Sequence, residues 1–381
     1  MKRKILYITG SRADYGLMLS TLNKIKSHPN LELEIIVTGM HLMEEFGKTI
    51  NEIEKDNFKL IILDSIYERD NKESMATFIG DLIKKLVPTI TKIRPDIILL
   101  LGDRGEMLAA AIAGAYLSIP VAHIHGGETT GNIDESARHA ITKLSNIHFV
   151  ATDTSAERII KMGENPEYIF SVGAPGLDDI VNSDIINSEI LKNKYKIDLS
   201  EPLILVIQHP VTSESNEAPN QIYETLNAIA ELKYQAIVIY PNCDAGGRGI
   251  IEIIKKYKNN GNIKIYENIP RMDYLSLLKI SSVIVGNSSS GIIEAPSFKI
   301  PVVNIGTRQE GRERAENVMD VRYDKKQIMS AIEKALFDKD FKAKLKNIKN
   351  PYGNGNSGDR IAHILSEIKI DNRLLQKKLT Y

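Results

Sequence analysis

Short apolar runs recur along the chain, and each one breaks into a polar or glycine-rich loop. Ile5 to Thr9 leads into Gly10-Ser11-Arg12-Ala13-Asp14, and Leu33 to Thr38 into Gly39-Met40-His41. Ile97 to Leu101 leads into Gly102-Asp103-Arg104, and Pro120 to Ile124 into His125-Gly126-Gly127-Glu128. Leu60 to Leu63, Ile147 to Ala151 and Ile169 to Val172 have the same character. Runs this short and continuous predict strands buried on both faces of a parallel sheet. Helical periods fall between them: Tyr15 to Ile25, Ile79 to Ile93 (kinked or divided at Pro88), Glu106 to Leu117, Asp134 to Leu144 and Thr154 to Met162.

The alternation then repeats. Strands are expected at Leu203 to Ile207, Ala236 to Tyr240, Ile263 to Ile265, Val283 to Val285 and Val302 to Ile305, with helices between them. Their loops include Gln208-His209-Pro210, Pro241 to Gly247, Gly286 to Gly291 and Gly306-Thr307-Arg308. The Asn- and Lys-rich segment Asp178 to Leu199 reads as a bridge, and Asp338 to Asn350 and the end of the chain as helical. The pattern predicts an α/β protein with two Rossmann-like, doubly wound parallel-sheet domains facing across a cleft. The domains are placed at residues 1–178 and 179–358, with 359–381 as a C-terminal helix packing back on the first.

Composition narrows the classes. The chain has 381 residues, enough for two cores, and balances 49 Lys+Arg against 49 Asp+Glu, so it carries no whole-chain basic field for nucleic acid. The lone Cys243 excludes an intrachain disulfide framework and fits a reducing cytoplasm. The basic start at Lys2-Arg3-Lys4 is followed by too short an apolar run for a signal peptide, and no apolar run approaches the roughly twenty residues that span a bilayer. A soluble, cytoplasmic protein is expected.

The candidate chemistry sits at strand ends, where open α/β sheets bind ligands. Asp103, His125, Glu128, Asp134 and Arg138 converge in the first domain. Each also has a plainer reading. Asp103 caps the next helix, His123 is a structural histidine bonded to backbone, Asp134 and Arg138 form an i, i+4 surface pair, and Arg12 is a solvated loop cation. A metal site at His123, His125, Asp103 and Glu128 is the weaker reading, because the spacing matches no standard pattern. His41 and Cys243 read as structural. In the second domain Asn287-Ser288-Ser289-Ser290-Gly291 lies between a strand and a short helix carrying Glu294, which suits a diphosphate with ribose hydroxyls on Glu294. Gly353-Asn354-Gly355-Asn356-Ser357-Gly358 matches a dinucleotide fingerprint literally, but no strand precedes it.

These motifs resemble, in collinear order over nearly the whole chain, the UDP-N-acetylglucosamine 2-epimerases, in particular the hydrolysing branch of sialic-acid-type pathways. The residues that carry the likeness are Gly10-Ser11-Arg12-Ala13-Asp14, Gly102-Asp103-Arg104, His123 to Glu128, Ile133 to His139, Pro241 to Gly246 and Gly286 to Pro296. The resemblance implies a GT-B architecture and conversion of UDP-N-acetylglucosamine and water to UDP and N-acetylmannosamine, without NAD, other cofactor or metal. It implies loss of UDP by anti elimination to 2-acetamidoglucal, then addition of water with protonation on the opposite C2 face. A homodimer or homotetramer is expected by the same analogy.

Carried over, Asp103, His125, Glu128, Asp134, Arg138 and His209 are the catalytic candidates. Arg12, Asn242, Asp244, Gly246, Ser288, Ser289, Ser290, Gly291, Glu294 and Arg312 are the substrate-binding ones. One departure stands out: many relatives carry Glu where this chain has His125, so either His125 takes the acid/base role or a nearby carboxylate does, and which group removes the C2 proton stays open. The sugar also stays open, with UDP-N,N'-diacetylbacillosamine, a 4-acetamido-6-deoxy analogue used in legionaminic acid synthesis, as the alternative. Rival readings are a non-hydrolysing 2-epimerase, a GT-B glycosyltransferase and a non-catalytic nucleotide-sugar sensor.

Overall fold

A computed structural model describes residues 2–130, 133–182 and 186–381. Among these, the first sheet contains β1 (Arg3–Thr9), β2 (Leu31–Val37), β3 (Leu60–Ile62), β4 (Ile97–Leu101), β5 (Val121–Ile124), β6 (Ile147–Val150) and β7 (Ile169–Ser171), all parallel in the order β3-β2-β1-β4-β5-β6-β7. The second contains β8 (Leu203–Ile207), β9 (Gln235–Ile239), β10 (Ile263–Tyr266), β11 (Val283–Gly286), β12 (Val302–Ile305) and β13 (Val318–Val321), parallel in the order β10-β9-β8-β11-β12-β13. Strand order reverses between β1 and β4 in one lobe and between β8 and β11 in the other. Loops leaving these neighbours diverge and open a crevice at each switch point. This is the expected GT-B arrangement of two Rossmann-like lobes.

The strands read as continuous apolar runs because both faces are covered. Leu6 and Ile8 pack on one side with Leu82, Leu86, Ile90 and Met107, whereas Ile5 and Tyr7 pack on the other with Met18, Leu22, Ile361 and Leu365. The last two belong to the helix Ser357–Glu367, so the end of the chain completes the core of the first lobe. The chain therefore crosses between lobes twice, and the crossings touch. Ala174 N–H donates to the Tyr352 carbonyl at 2.8 Å. Gly173 and Gly353 meet there with φ +86° and +110°, and a Cβ on Gly353 would lie 3.3 Å from the Gly173 Cα.

Several expectations are corrected. Of the two readings at Pro88, division is excluded, because the helix runs unbroken over Lys72–Ile93, held by the buried Phe78, Leu82, Leu86 and Ile90. The bridge segment is partly core, since Leu191, Tyr195 and Ile197 are buried against β8. β13 was not anticipated, being a half-buried edge strand interrupted by Asp320. Within Asp338 to Asn350, only Lys339–Leu345 is α-helical. No described helix is long and apolar enough to cross a membrane.

Candidate active site

The loops at both switch points line a single cleft of about 1050 Å³ between the lobes. On the first-lobe wall, Asp103 follows β4. The helix after it, Gly105–Tyr116, has Arg104 at its N-cap with no side-chain cap bond. Asp103 is paired instead with Arg138, which removes the capping reading. Arg138 is only 2 % exposed and also donates to the Glu128 carbonyl (3.0 Å) and to Thr130 Oγ1 (3.4 Å), so the surface ion-pair reading is corrected for this residue. Asp134 lies on the same helix, Ile133–Leu144, but its side chain is outside the described residues.

His125 is held in the left-handed region at φ +63°, a conformation that costs a non-glycine residue free energy. Its N–H donates to the Phe149 carbonyl (3.0 Å), and its Nδ1 is hydrogen-bonded to Glu128 Oε1. Burial alone would push the Glu128 carboxyl up. Arg312, and then His125, outweigh that and hold it well below the usual carboxylate range. An ionised carboxylate only accepts, so Nδ1 carries a proton and Nε2 is the ring nitrogen left to serve as a base.

His123 is structural, with Nδ1 on Thr142 Oγ1 (3.1 Å) and Nε2 on the Gly102 carbonyl (2.8 Å). Both ring nitrogens are committed to protein oxygens, so the metal reading loses His123; burial separately pushes its pKa down to about 3 and keeps the ring neutral. His41 is likewise structural, between Thr9 Oγ1 (2.9 Å) and Thr49 Oγ1 (2.8 Å). Arg12 opens the helix Arg12–Ser27, lines the cleft and pairs with Glu52 Oε2 at 3.0 Å, so it is not a freely solvated cation.

On the opposite wall, Ser288 caps the short helix Ser289–Ile293, its hydroxyl accepting from Ser290 N–H at 3.3 Å. Ser290 Oγ donates to Glu294 Oε2 (2.5 Å) and contacts the Tyr274 hydroxyl. Glu294 is 2 % exposed and paired with Arg271, which also donates to the Gly176 carbonyl (2.8 Å) and to Asp179 (3.4 Å). His209 enters from the loop after β8. Its Nδ1 accepts the Asn242 N–H at 3.1 Å, leaving Nε2 to bear the proton of the neutral ring. Burial, then Arg308 and Arg104, hold its pKa well below the usual histidine value, so His209 is a donor at neutral pH.

The cleft thus gathers Arg12, Asp103, His125, Arg138, His209, Asn242, Asp244, Ser288, Ser289, Ser290, Glu294 and Arg312. Glu128 stands behind His125 and does not line it. Gly246 does not line it either, because its N–H donates to Asp70 of the first lobe at 2.8 Å; Gly291 packs on Val302 instead. Asp244 is bound by Arg104 (3.5 Å) and Asn242 (2.5 Å).

Sequence reasoning missed Arg271, Tyr274 and Asp179, which support Glu294 and carry no local motif. It also missed Asp14, whose place three residues after Ser11 is a capping-box signal. Asp14 accepts from Gly10 N–H (3.1 Å) and Ser11 N–H (2.8 Å), and burial pushes its pKa up to about 6.

A family model described as UDP-N-acetylglucosamine 2-epimerase matches residues 23–366. The UDP-N,N'-diacetylbacillosamine 2-epimerase (hydrolyzing) of Legionella pneumophila is 42% identical over 382 residues, covering 100% of both chains. The UDP-N-acetylglucosamine 2-epimerase of Neisseria meningitidis serogroup B is 38% identical, over 87% of each chain. Among solved structures, a UDP-GlcNAc 2-epimerase from Neisseria meningitidis bound to UDP-GlcNAc superposes with a TM-score of 0.79, covering 95% of this chain and 99% of that one at 20% identity, a likeness of fold.

Proposed function

The chain belongs to the UDP-N-acetylglucosamine 2-epimerase family, and from that premise we propose that it is a hydrolysing 2-epimerase acting on UDP-N,N'-diacetylbacillosamine. Full-length likeness to the Legionella enzyme puts this sugar ahead of UDP-N-acetylglucosamine, reversing the order that the motifs suggested. The lining supports the choice. Met75, Ile79 and Leu108, partly buried and apolar, line the cleft with Tyr67, whose hydroxyl lies 3.4 Å from Arg104. A C6 methyl and an acetamide methyl suit such a wall, whereas a C6 hydroxyl would lose hydration there.

In this reading residues 179–358 hold the nucleotide. The Ser288–Ser290 loop and Arg12 take the diphosphate, and Glu294 takes the ribose hydroxyls. As the anomeric C–O bond breaks, UDP departs with the bonding pair and positive charge develops at C1, beside Asp103. The C2 proton, acidified by that charge, passes to His125 Nε2 while Glu128 steadies the imidazolium through Nδ1. The product of this step is the C1–C2 unsaturated glycal, which keeps both acetamido groups and the C6 methyl of the diacetylated sugar. Water then adds its hydroxyl at C1, and C2 takes a proton on the opposite face, a role assigned to a first-lobe carboxyl, Asp103 or Asp134. The sum is nucleotide sugar plus water giving UDP and the C2-inverted free sugar. His209 donates from Nε2 toward the leaving group.

The observation that carries the reading is the placement of an imidazole–carboxylate pair and an Arg-paired carboxylate opposite the serine loop and Glu294 across one cleft. NMR of the reaction in deuterated water tests it. Both UDP sugars are supplied without an acceptor; free sugar with deuterium at C2 is expected, at roughly tenfold or greater kcat/KM for the diacetylated substrate. Product that keeps UDP, or turnover only with an acceptor, would replace the reading with a non-hydrolysing epimerase or a glycosyltransferase.

A further inference from the structure

Arg312 lines the cleft, but its guanidinium is engaged by protein groups of both lobes. Its Nε, at 3.0 Å, and a terminal nitrogen engage Glu128 Oε2, while Glu128 Oε1 holds His125 Nδ1. In the other direction, Arg312 Nη1 donates to Gln309 Oε1 at 2.9 Å, and Gln309 Nε2 donates to the Asn287 carbonyl at 2.8 Å. The Asn287 side chain accepts the His209 N–H at 2.7 Å and donates to the His209 carbonyl at 2.9 Å. The run from the first-lobe imidazole to the second-lobe histidine is therefore hydrogen-bonded at every step, and Glu128, Gln309 and Asn287 are all at most 3 % exposed. Thr129 Oγ1 fastens the same loop by donating to the Gly311 carbonyl at 2.5 Å.

We propose that the loop 306–312 is a positioning strap that sets His125 for proton abstraction only when the lobes are together, with Arg312 and Gln309 as positioning residues that touch no reacting atom. This rests on the reading that His125 moves the C2 proton. The physical reason lies in Glu128. Buried in the first lobe, it stays ionised because Arg312 reaches it from the second. Drawn apart from Arg312, the carboxylate loses the largest charge opposing its burial and its proton affinity rises, although His125 and Arg138 remain. A protonated Glu128 no longer requires Nδ1–H on the imidazole, so Nε2 ceases to be reliably unprotonated. Through Gln309 and Asn287 the same closure fixes the backbone of His209. The base on one lobe and the donor on the other then come into register together, so C2 is deprotonated only while UDP is positioned to leave.

Four variants test this: Arg312→Gln, Arg312→Lys, Glu128→Gln and the double Glu128→Gln/Arg312→Gln. The readouts are kcat and KM for the nucleotide sugar, UDP affinity by calorimetry, and the His125 tautomer from long-range ¹H–¹⁵N spectra of the UDP-bound protein, assigned with His125→Gln. Arg312→Gln is expected to shift the Nδ1–H tautomer to a mixture and to lower kcat ~100-fold, with UDP affinity changed less than ~3-fold. Arg312→Lys should restore part of both. The double variant should be no slower than the slower single, because both residues act through one bond. If Arg312→Gln fails to fold, the double variant, which buries no lone charge, carries the same measurements.

An unchanged tautomer with wild-type kcat in Arg312→Gln, or losses that multiply in the double variant, would overturn the strap. A wild-type protein that releases no UDP from either sugar while Arg312→Gln still shifts the tautomer would instead overturn the functional reading and support the strap.

Discussion

Replacing Asp103 by Asn removes one negative charge while keeping shape, so no cavity forms and the outcome is electrostatic. In the native protein the carboxylate meets Arg138, whose guanidinium is 2 % exposed; the Asp103 side chain itself is 22 % exposed to the cleft. Breaking a fully buried pair costs roughly 3–5 kcal/mol. Cleft water screens Asp103, and Arg138 keeps the Glu128 carbonyl and Thr130, so the cost here is discounted to about 1–2 kcal/mol. Typical domains have about 5–15 kcal/mol in hand, so the variant stays folded at assay temperature.

Turnover behaves differently. A proton-transferring or cation-stabilising carboxylate contributes about 10²–10⁴-fold, roughly 2.7–5.4 kcal/mol at about 1.36 kcal/mol per decade. The assay follows UDP release from the nucleotide sugar, with UDP affinity measured alongside. We expect kcat to fall by at least ~100-fold while UDP affinity moves less than ~3-fold. A kcat within ~3-fold of wild type, or turnover and UDP affinity falling in parallel, would refute a chemical role for Asp103.

Other outcomes follow from the same geometry. Glu294→Gln weakens the buried Arg271 pair and the Ser290 contact, so UDP affinity should drop by roughly 10–100-fold in calorimetry, with a smaller change in kcat. His41 and His123 have folded pKa values pushed down to about 3 by burial, so the unfolded chain binds their protons more readily and stability is lost as pH falls below the ordinary histidine value. Asp14, raised to about 6, opposes one of them as pH falls through 6. His148 and His209, also held low, act with the histidines, and Asp178 and Asp179, also raised, act with Asp14; the histidines outnumber the carboxyls, so the urea midpoint should fall on acidification, and His41→Gln should flatten the slope by about 1.4 kcal/mol per pH unit. Lys377 donates to the carbonyls of Thr142 (3.0 Å), Lys143 (2.7 Å) and Ser145 (2.6 Å) at the end of the helix carrying Arg138; Lys377→Met should lower Tm at a cost of about 2–3 kcal/mol.

How far the site can be read from sequence depends on how far apart its partners lie. β4 and its Asp103 are legible because Ile97 to Leu101 is an unbroken apolar run with a polar stop. His125 and Glu128 lie three apart, so their pairing is within reach of a motif. Arg12 and Glu52 are forty residues apart, and Glu128 and Arg312 are 184 apart on different lobes. No local pattern reports such pairs, and a charged residue reads alike whether it grips substrate or a buried carboxylate. That is why Arg312 and Gly246 read from sequence as ligand residues alone, when Arg312 also grips Glu128 and the Gly246 N–H is held by Asp70. β13 escaped for a different reason: an edge strand needs only half its positions apolar, and Asp320 broke the run.

The paired crossings at Gly173 and Gly353 also govern how the molecule can open. A single tether would let one half swivel and slide over the other. Two backbones pinned side by side at one spot leave mainly a jaw-like swing about that spot, with the gape widening with distance from it. A few degrees of bend in two residues that lack side chains then becomes an ångström-scale displacement at the far rim, without unfolding any strand.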